Sequence, residues 1–132
     1  MDDPIWISIQ LAIAIHQRQL AEHGGADGVR DQGLLESALG RPPHLFAYND
    51  PTPTITEMAG AYAFGIARNH AFIDGNKRTA AVVCETFLVL NGVELTATDA
   101  DAYPAFLGLA GGSISEQEFT DWLRQHTKQI TK

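Results

Sequence analysis

One stretch, His70-Ala71-Phe72-Ile73-Asp74-Gly75-Asn76-Lys77-Arg78-Thr79, gathers a proton acceptor, a carboxylate, a glycine turn and two cations. Imidazole can take a proton from a hydroxyl at neutral pH, which suits His70 to general-base work. Asp74 is the one carboxylate of the loop. Beside phosphates it would be repelled unless a cation lay between, which is how nucleotide sites use Asp to hold Mg²⁺. Gly75 lets the backbone turn and approach an anion closely. Asn76 can bond the backbone or an oxyanion, and Lys77 and Arg78 can offset charge on transferred oxygens. The apolar run Ala80-Ala81-Val82-Val83-Cys84 follows at once. The order therefore describes a loop that delivers a polyanion to the start of a helix, where unpaired N–H groups carry partial positive charge.

The charge balance sharpens this reading. Nine Lys and Arg face sixteen Asp and Glu, a net of -7, yet Arg68, Lys77 and Arg78 fall within eleven residues. Cations clustered in an acidic chain point to a specific anion rather than a general polyelectrolyte surface. Cations in a first turn also oppose the helix dipole, so ordinary solvated helix residues explain the position poorly. Taken alone, His70 would read as a helix-end histidine and Asp74-Gly75-Asn76 as a turn. Neither reading accounts for the coincidence. His16, His23, His44 and His126 read as structural or solvated.

The elements that must position this loop are almost all helical. Apolar spacing predicts a helix from Ile5 to about Glu22, stopped by Gly24-Gly25. A short second helix is expected from Asp31 to about Leu39, ended by Arg41-Pro42-Pro43. Four of the six prolines lie between Pro42 and Pro53, with Phe46 and Tyr48 among them, so that segment is expected to be irregular. Thr54-x-x-Glu57 reads as a capping box for a third helix reaching about Asn69. A fourth helix runs from near Asn76 to about Leu90, with Asn91-Gly92 as its stop. Thr98-x-x-Asp101 and Ser115-x-x-Glu118 open two more, separated by Gly111-Gly112. The third and fourth helices should form the centre of the bundle and hold the loop on both sides. The expectation is one domain over residues 1–132, an all-α compact bundle of about six helices.

Other function classes recede. A pI near 5.0 argues against direct nucleic-acid binding and against an anionic membrane surface. Cys84, the one cysteine, sits in an apolar helical run and reads as a buried inert thiol. Neither paired cysteines nor HExxH-type spacing suggests zinc. The acidic start Met1-Asp2-Asp3-Pro4 lacks the basic opening of a signal peptide, and Gln10, His16 and Gln17 interrupt the first apolar stretch. A cytoplasmic protein is expected.

His70 through Arg78 resembles the motif of the Fic/Doc family, and its Asn-Lys-Arg-Thr ending is similar to the Doc branch. The likeness extends to Gly33-Leu34-Leu35-Glu36-Ser37-Ala38, to Ala61-Tyr62-Ala63-Phe64-Gly65-Ile66-Ala67, and to the helix end Phe87-Leu88-x-Leu90-Asn91-Gly92. The resemblance implies a compact helical bundle and transfer of part of a nucleotide to a protein hydroxyl. Fic enzymes usually move AMP, with Gly where this chain has Lys77 and a second Arg where it has Ala81. The Doc branch resembles this chain at both places. It implies a kinase of a toxin–antitoxin pair that transfers the γ-phosphoryl group of ATP, or another nucleoside triphosphate, to a threonine of translation factor Tu.

Carried over, His70 would be the general base and Asp74 the Mg²⁺ ligand. Arg68, Gly75, Asn76, Lys77 and Arg78 would bind the nucleotide. Pro42 to Thr54 would be the flap, short and hairpin-like, laying the target across the site through Leu45, Phe46, Ala47 and Tyr48. Many Fic enzymes inhibit themselves through Ser/Thr-x-x-x-Glu-Gly/Asn, and no Ser or Thr of this chain begins such a segment. Inhibition would come from an antitoxin whose disordered C-terminal segment folds into an apolar groove. An adenylyl transferase is the runner-up. A catalytically inactive binding module of the same fold is disfavoured by the intact motif, and a metal-dependent phosphohydrolase by the shortage of His and Asp ligands.

Overall fold

The computed structural model describes residues 3–130; Met1 and Asp2, part of the acidic start, lie outside them. Six helices and two short strands follow in the order α1 (Ile9–His23), α2 (Gln32–Tyr48), α3 (Ile55–Asn69), α4 (Asn76–Leu90), β1 (Val93–Leu95), α5 (Asp99–Gly111), α6 (Glu116–Gln125) and β2 (Thr127–Gln129). The all-α expectation holds.

α1 begins later than its apolar pattern suggested. Ser8 caps it by accepting the Leu11 amide, and residues 5–7 lie outside the helix. Their backbone is claimed elsewhere: the Ile7 amide donates to Tyr62 Oη at 3.0 Å, and Ile5 exchanges two hydrogen bonds with the Asn91 side chain. Gly24, at φ +79, ends the helix as expected.

α2 overturns an expectation. It does not stop at Arg41 but continues through Pro42 and Pro43 to Tyr48. Each proline removes an amide, leaving the Ala38 and Leu39 carbonyls without their helical donors, and a proline inside a helix costs about 3 kcal/mol. Burial outweighs this local cost. Leu35, Ala38, Leu39 and Pro42 repeat at helical spacing and are all buried. Ala38 lies so close to α3 that a Cβ on Gly65 would sit 3.1 Å from its own Cβ. Arg41, at the point of expected breakage, is fastened to Glu116 by a two-pronged ion pair of 2.7 and 2.8 Å. The irregular segment is thus confined to residues 49–54.

α3 and α4 occupy the centre, as the sequence suggested. α3 opens on the capping box of Thr54 and Glu57 and buries Met58, Ala59, Tyr62, Ala63, Ile66 and Ala67. Its small residues let neighbours approach: a Cβ on Gly60 would fall 2.5 Å from Thr120 Oγ1 of α6. α4 buries Ala80, Val83, Cys84, Phe87 and Leu88. Cys84 is wholly buried and its thiol pKa is pushed up by desolvation, so the inert reading holds. Thr98 and Ser115 cap α5 and α6 as read from their spacing.

The only strand pairing between named strands among the described residues joins β1 to β2, antiparallel, with Val93 opposite Gln129 and Leu95 opposite Thr127. Lys128 and Glu94 form a cross-strand ion pair at 3.2 Å. No strand lies in residues 42–54.

Candidate active site

The loop between α3 and α4 is held by a segment far away in sequence. α3 ends at His70 with φ +50 and ψ +46, the left-handed region, which costs a non-glycine residue about 1 kcal/mol. Residues 28–31 supply the restraint. Arg30 Nε donates to the His70 carbonyl at 2.8 Å, and Arg30 Nη2 to the Asn69 carbonyl at 3.3 Å. The amides of Arg30 and Asp31 both donate to the Ala71 carbonyl, and Ile73 donates to Gly28. Gly28 must be glycine: its φ is +121, and a Cβ there would meet Ile73 Cδ1 at 2.9 Å.

Phe72 is buried and Ile73 is 55% exposed, so Phe72 is the anchor that the loop was expected to contain. Asn76 locks the same residue. Its Oδ1 accepts the Phe72 amide and its Nδ2 donates to the Phe72 carbonyl, both at 3.0 Å. The Asn76 side chain is therefore committed to the loop's own backbone, and what it can offer an anion is its N–H. Gly75, at φ +77, has no side chain to cap α4. The amides of Asn76, Lys77 and Arg78 meet no acceptor among the described residues.

Asp74 stands exposed at this opening. Its Oδ1 accepts the Gly75 amide at 2.9 Å and its Oδ2 the Ala26 amide at 3.3 Å. These N–H groups, Gly75 first and Ala26 second, hold its carboxyl below the usual carboxylate range, and the Arg78 charge adds to them. Gly25 makes room for the contact, since a Cβ there would press on Asp74 Oδ2 at 2.8 Å. An ionised carboxylate with lone pairs to spare suits a magnesium ion, which takes one or two protein carboxylates and completes its shell with phosphate oxygens and water. Among the described residues no group of three His, Cys, Asp or Glu side chains is placed to hold a metal by itself.

The His70 side chain is exposed, and neither ring nitrogen has a hydrogen-bond partner among the described residues. Lys77 and Arg78 are exposed and without partners as well. They differ in this from all other described cations. Arg18, Arg41, Arg124 and Lys128 pair with carboxylates, and Arg30 and Arg68 donate to carbonyls. Arg68 is not drawn into the cationic group: its Nε donates to the Leu109 carbonyl at 3.0 Å and its guanidinium lies 5.2 Å from the Phe64 ring. The flap residues separate too. Leu45 and Phe46 are half-buried in the last turns of α2, with Phe46 edge-on to Trp6 at 5.7 Å, whereas Ala47 and Tyr48 are exposed.

Two supports escaped the sequence reading. Arg30 gave no local signal. His16 did give one: it shares the buried face of α1 with Ala12, Ile15 and Gln19. Its structural assignment holds, but that its partner would be the loop, through Asp74, was not legible.

A helical bundle whose two central helices are joined by the His70–Arg78 loop agrees with the fold that the resemblance implied. The Fic/DOC family profile matches residues 6–88, which contain the entire loop. The chain is 47% identical over 74 residues to Toxin Doc of Mycolicibacterium smegmatis (strain ATCC 700084 / mc(2)155), covering 56% of this chain and 57% of that one. It is 35% identical over 119 residues to Protein kinase doc of Escherichia phage P1, covering 90% of this chain and 93% of that protein. The chain thus spans just over half the length of the first relative and nearly all of the second. It belongs to the Fic/DOC family, in the Doc branch.

Proposed function

We propose that this protein is a Doc-type toxin kinase that transfers the γ-phosphoryl group of a nucleoside triphosphate to a Thr or Ser hydroxyl of a translation factor. The observation that carries the reading is the pair Lys77 and Arg78, the described cations without partners, standing at an uncapped helix start beside Asp74. The names of the two relatives support toxin and kinase, and the resemblance supplies the translation factor.

In this reading the open amides of α4 and the Lys77 and Arg78 side chains hold the phosphate chain. His70 takes the proton of the target hydroxyl as its oxygen attacks the γ-phosphorus. The bond from that phosphorus to the β–γ bridging oxygen breaks, and the nucleoside diphosphate leaves. Asp74 would hold Mg²⁺, which when bound neutralises charge on the phosphate oxygens. The pinned carbonyl of His70 keeps the imidazole on a fixed backbone while that proton moves. The inhibiting partner is an antitoxin, and the cell compartment is the cytoplasm, where the triphosphate and the translation machinery are found. No helix among the described residues is long and apolar enough to cross a membrane.

The test is incubation with purified translation factor and ATP labelled separately at the α and γ positions, followed by intact mass. Label from the γ position with a gain of one phosphate is expected. A gain of one AMP, carrying the α label, would establish the adenylyl transferase instead. No gain from either would support the inactive module.

A further inference from the structure

The peptide that joins Asp74 to Gly75 is fixed on both sides by side chains, and one of them comes from α1. On the amide side, Gly75 N–H donates to the carboxylate of Asp74 itself. On the carbonyl side, His16 Nε2 lies 2.7 Å from Asp74 O. A carbonyl oxygen only accepts, so Nε2 carries the hydrogen and donates it. The His16 ring is 1% exposed and stacks on Phe72 at 3.8 Å between centroids with planes 8° apart. A purely apolar face of α1 would need no imidazole here. Phenylalanine would fill the space and stack equally well, yet it would leave the buried-side carbonyl of Asp74 without a donor.

That carbonyl matters because the rotation of the 74–75 peptide sets two directions at once. It aims the Asp74 carboxylate on one side, and on the other it starts α4, whose first amides are open. The geometry points to His16 as a positioning residue for this loop. Its Nε2–H holds the 74–75 peptide in the one rotation that presents the α4 amides to a bound phosphate and the Asp74 carboxylate to a cation accompanying that phosphate. This rests on the reading of the loop as a nucleotide-phosphate site.

His16→Phe and His16→Gln separate the roles. Phe keeps the stack and loses the donor; Gln loses the ring and keeps an N–H at similar reach. Two measurements are made on the full chain: binding of Mn²⁺ with ATP by titration, and hydrogen exchange at the amides of Phe72, Ile73 and Gly75. His16→Phe is expected to weaken Mn²⁺–ATP binding about 10- to 100-fold, as loss of a residue orienting a ligand does, and to speed exchange in the loop. His16→Gln is expected to stay close to the unaltered protein in both. Exchange in the interiors of α3 and α4 should be unchanged throughout. Equal losses in the two variants would reduce His16 to a packing residue and overturn the proposal. So would normal binding by His16→Phe. If the unaltered protein bound no Mn²⁺–ATP, the phosphate-site reading would fail. The exchange comparison would then decide the role of His16 by itself: faster loop exchange in His16→Phe alone upholds it, and any other pattern overturns it.

Discussion

The guanidinium of Arg30 donates to the carbonyl of His70 at 2.8 Å, across forty positions of sequence, at the one non-glycine residue with positive φ among the described residues. The contact places a charged donor on the last carbonyls of α3, where cations are favourable. It also holds His70 in a conformation the residue would not choose by itself. Arg30→Ala should cost about 1 kcal/mol of stability, the usual net worth of a hydrogen bond and below that of a buried charged one because the side chain is exposed, read as a lower urea midpoint at constant slope. It should also lower kcat more than it raises KM. A variant of normal stability and turnover would show that the Arg30 guanidinium does not hold the loop.

His70→Ala should leave the fold intact and lower transfer by about 10²–10⁴, the usual worth of a general base. The exposed side chain has no structural bond to lose. Circular dichroism and the melting temperature check the first half, and single-turnover phosphoryl transfer the second. Near-normal turnover would remove His70 from the chemistry.

Metal dependence should follow Asp74. Activity should need Mg²⁺ or Mn²⁺, vanish in excess EDTA and be lost in Asp74→Ala. Because backbone amides hold the carboxyl below its ordinary range, its charge persists as pH falls through that range. Acid loss of Mn²⁺ binding should accordingly set in below the pH at which a free aspartate protonates. Turnover that ignores chelation would contradict this assignment.

On the kinase reading, Lys77 should govern which phosphate is transferred. Lys77→Gly should cut γ-phosphoryl transfer, since it removes one of the two unpaired cations among the described residues, and Ala81 offers no guanidinium one turn later to replace it. Glycine in the first turn should also cost about 0.5–1 kcal/mol, to be measured separately by urea unfolding. Transfer of the γ label at the normal rate would place the phosphate chain elsewhere.

The last expectation concerns alkaline stability. The Tyr62 hydroxyl is buried and accepts the Ile7 amide; burial raises its pKa from about 10 to about 12. The native state therefore keeps a proton that the unfolded chain releases. The resulting stabilisation is whole below about pH 10 and is lost as pH rises toward about 12. Tyr62→Phe should flatten this decline while costing about 1 kcal/mol at neutral pH, because the Ile7 amide loses its acceptor. Chemical denaturation at pH 8 and at pH 11 compares the two proteins. An equal decline in both would assign the alkaline loss to other groups.

What the amino-acid sequence determined by itself is local. Thr54 with Glu57, and Ser115 with Glu118, satisfy helix-start amides within four residues, so those starts are legible before any tertiary contact exists. The turns at Gly24 and Gly112 and the centrality of α3 and α4 follow from glycine's backbone freedom and from apolar spacing. The candidate chemical groups of the loop were legible as well, because His70, Asp74, Lys77 and Arg78 lie in one short run. What tertiary structure decided is where the remaining polar and proline residues spend their bonds. α2 passes through Pro42 and Pro43 because its buried face and the Arg41–Glu116 pair outweigh a local backbone cost. Arg68 turns to the Leu109 carbonyl, Asn76 to Phe72, Arg30 to His70 and His16 to Asp74, each satisfying a backbone group left open elsewhere in the fold. All but Asn76 reach across thirty-five or more positions, and no spacing rule in a single chain carries that distance; only the packed bundle brings donor and acceptor together.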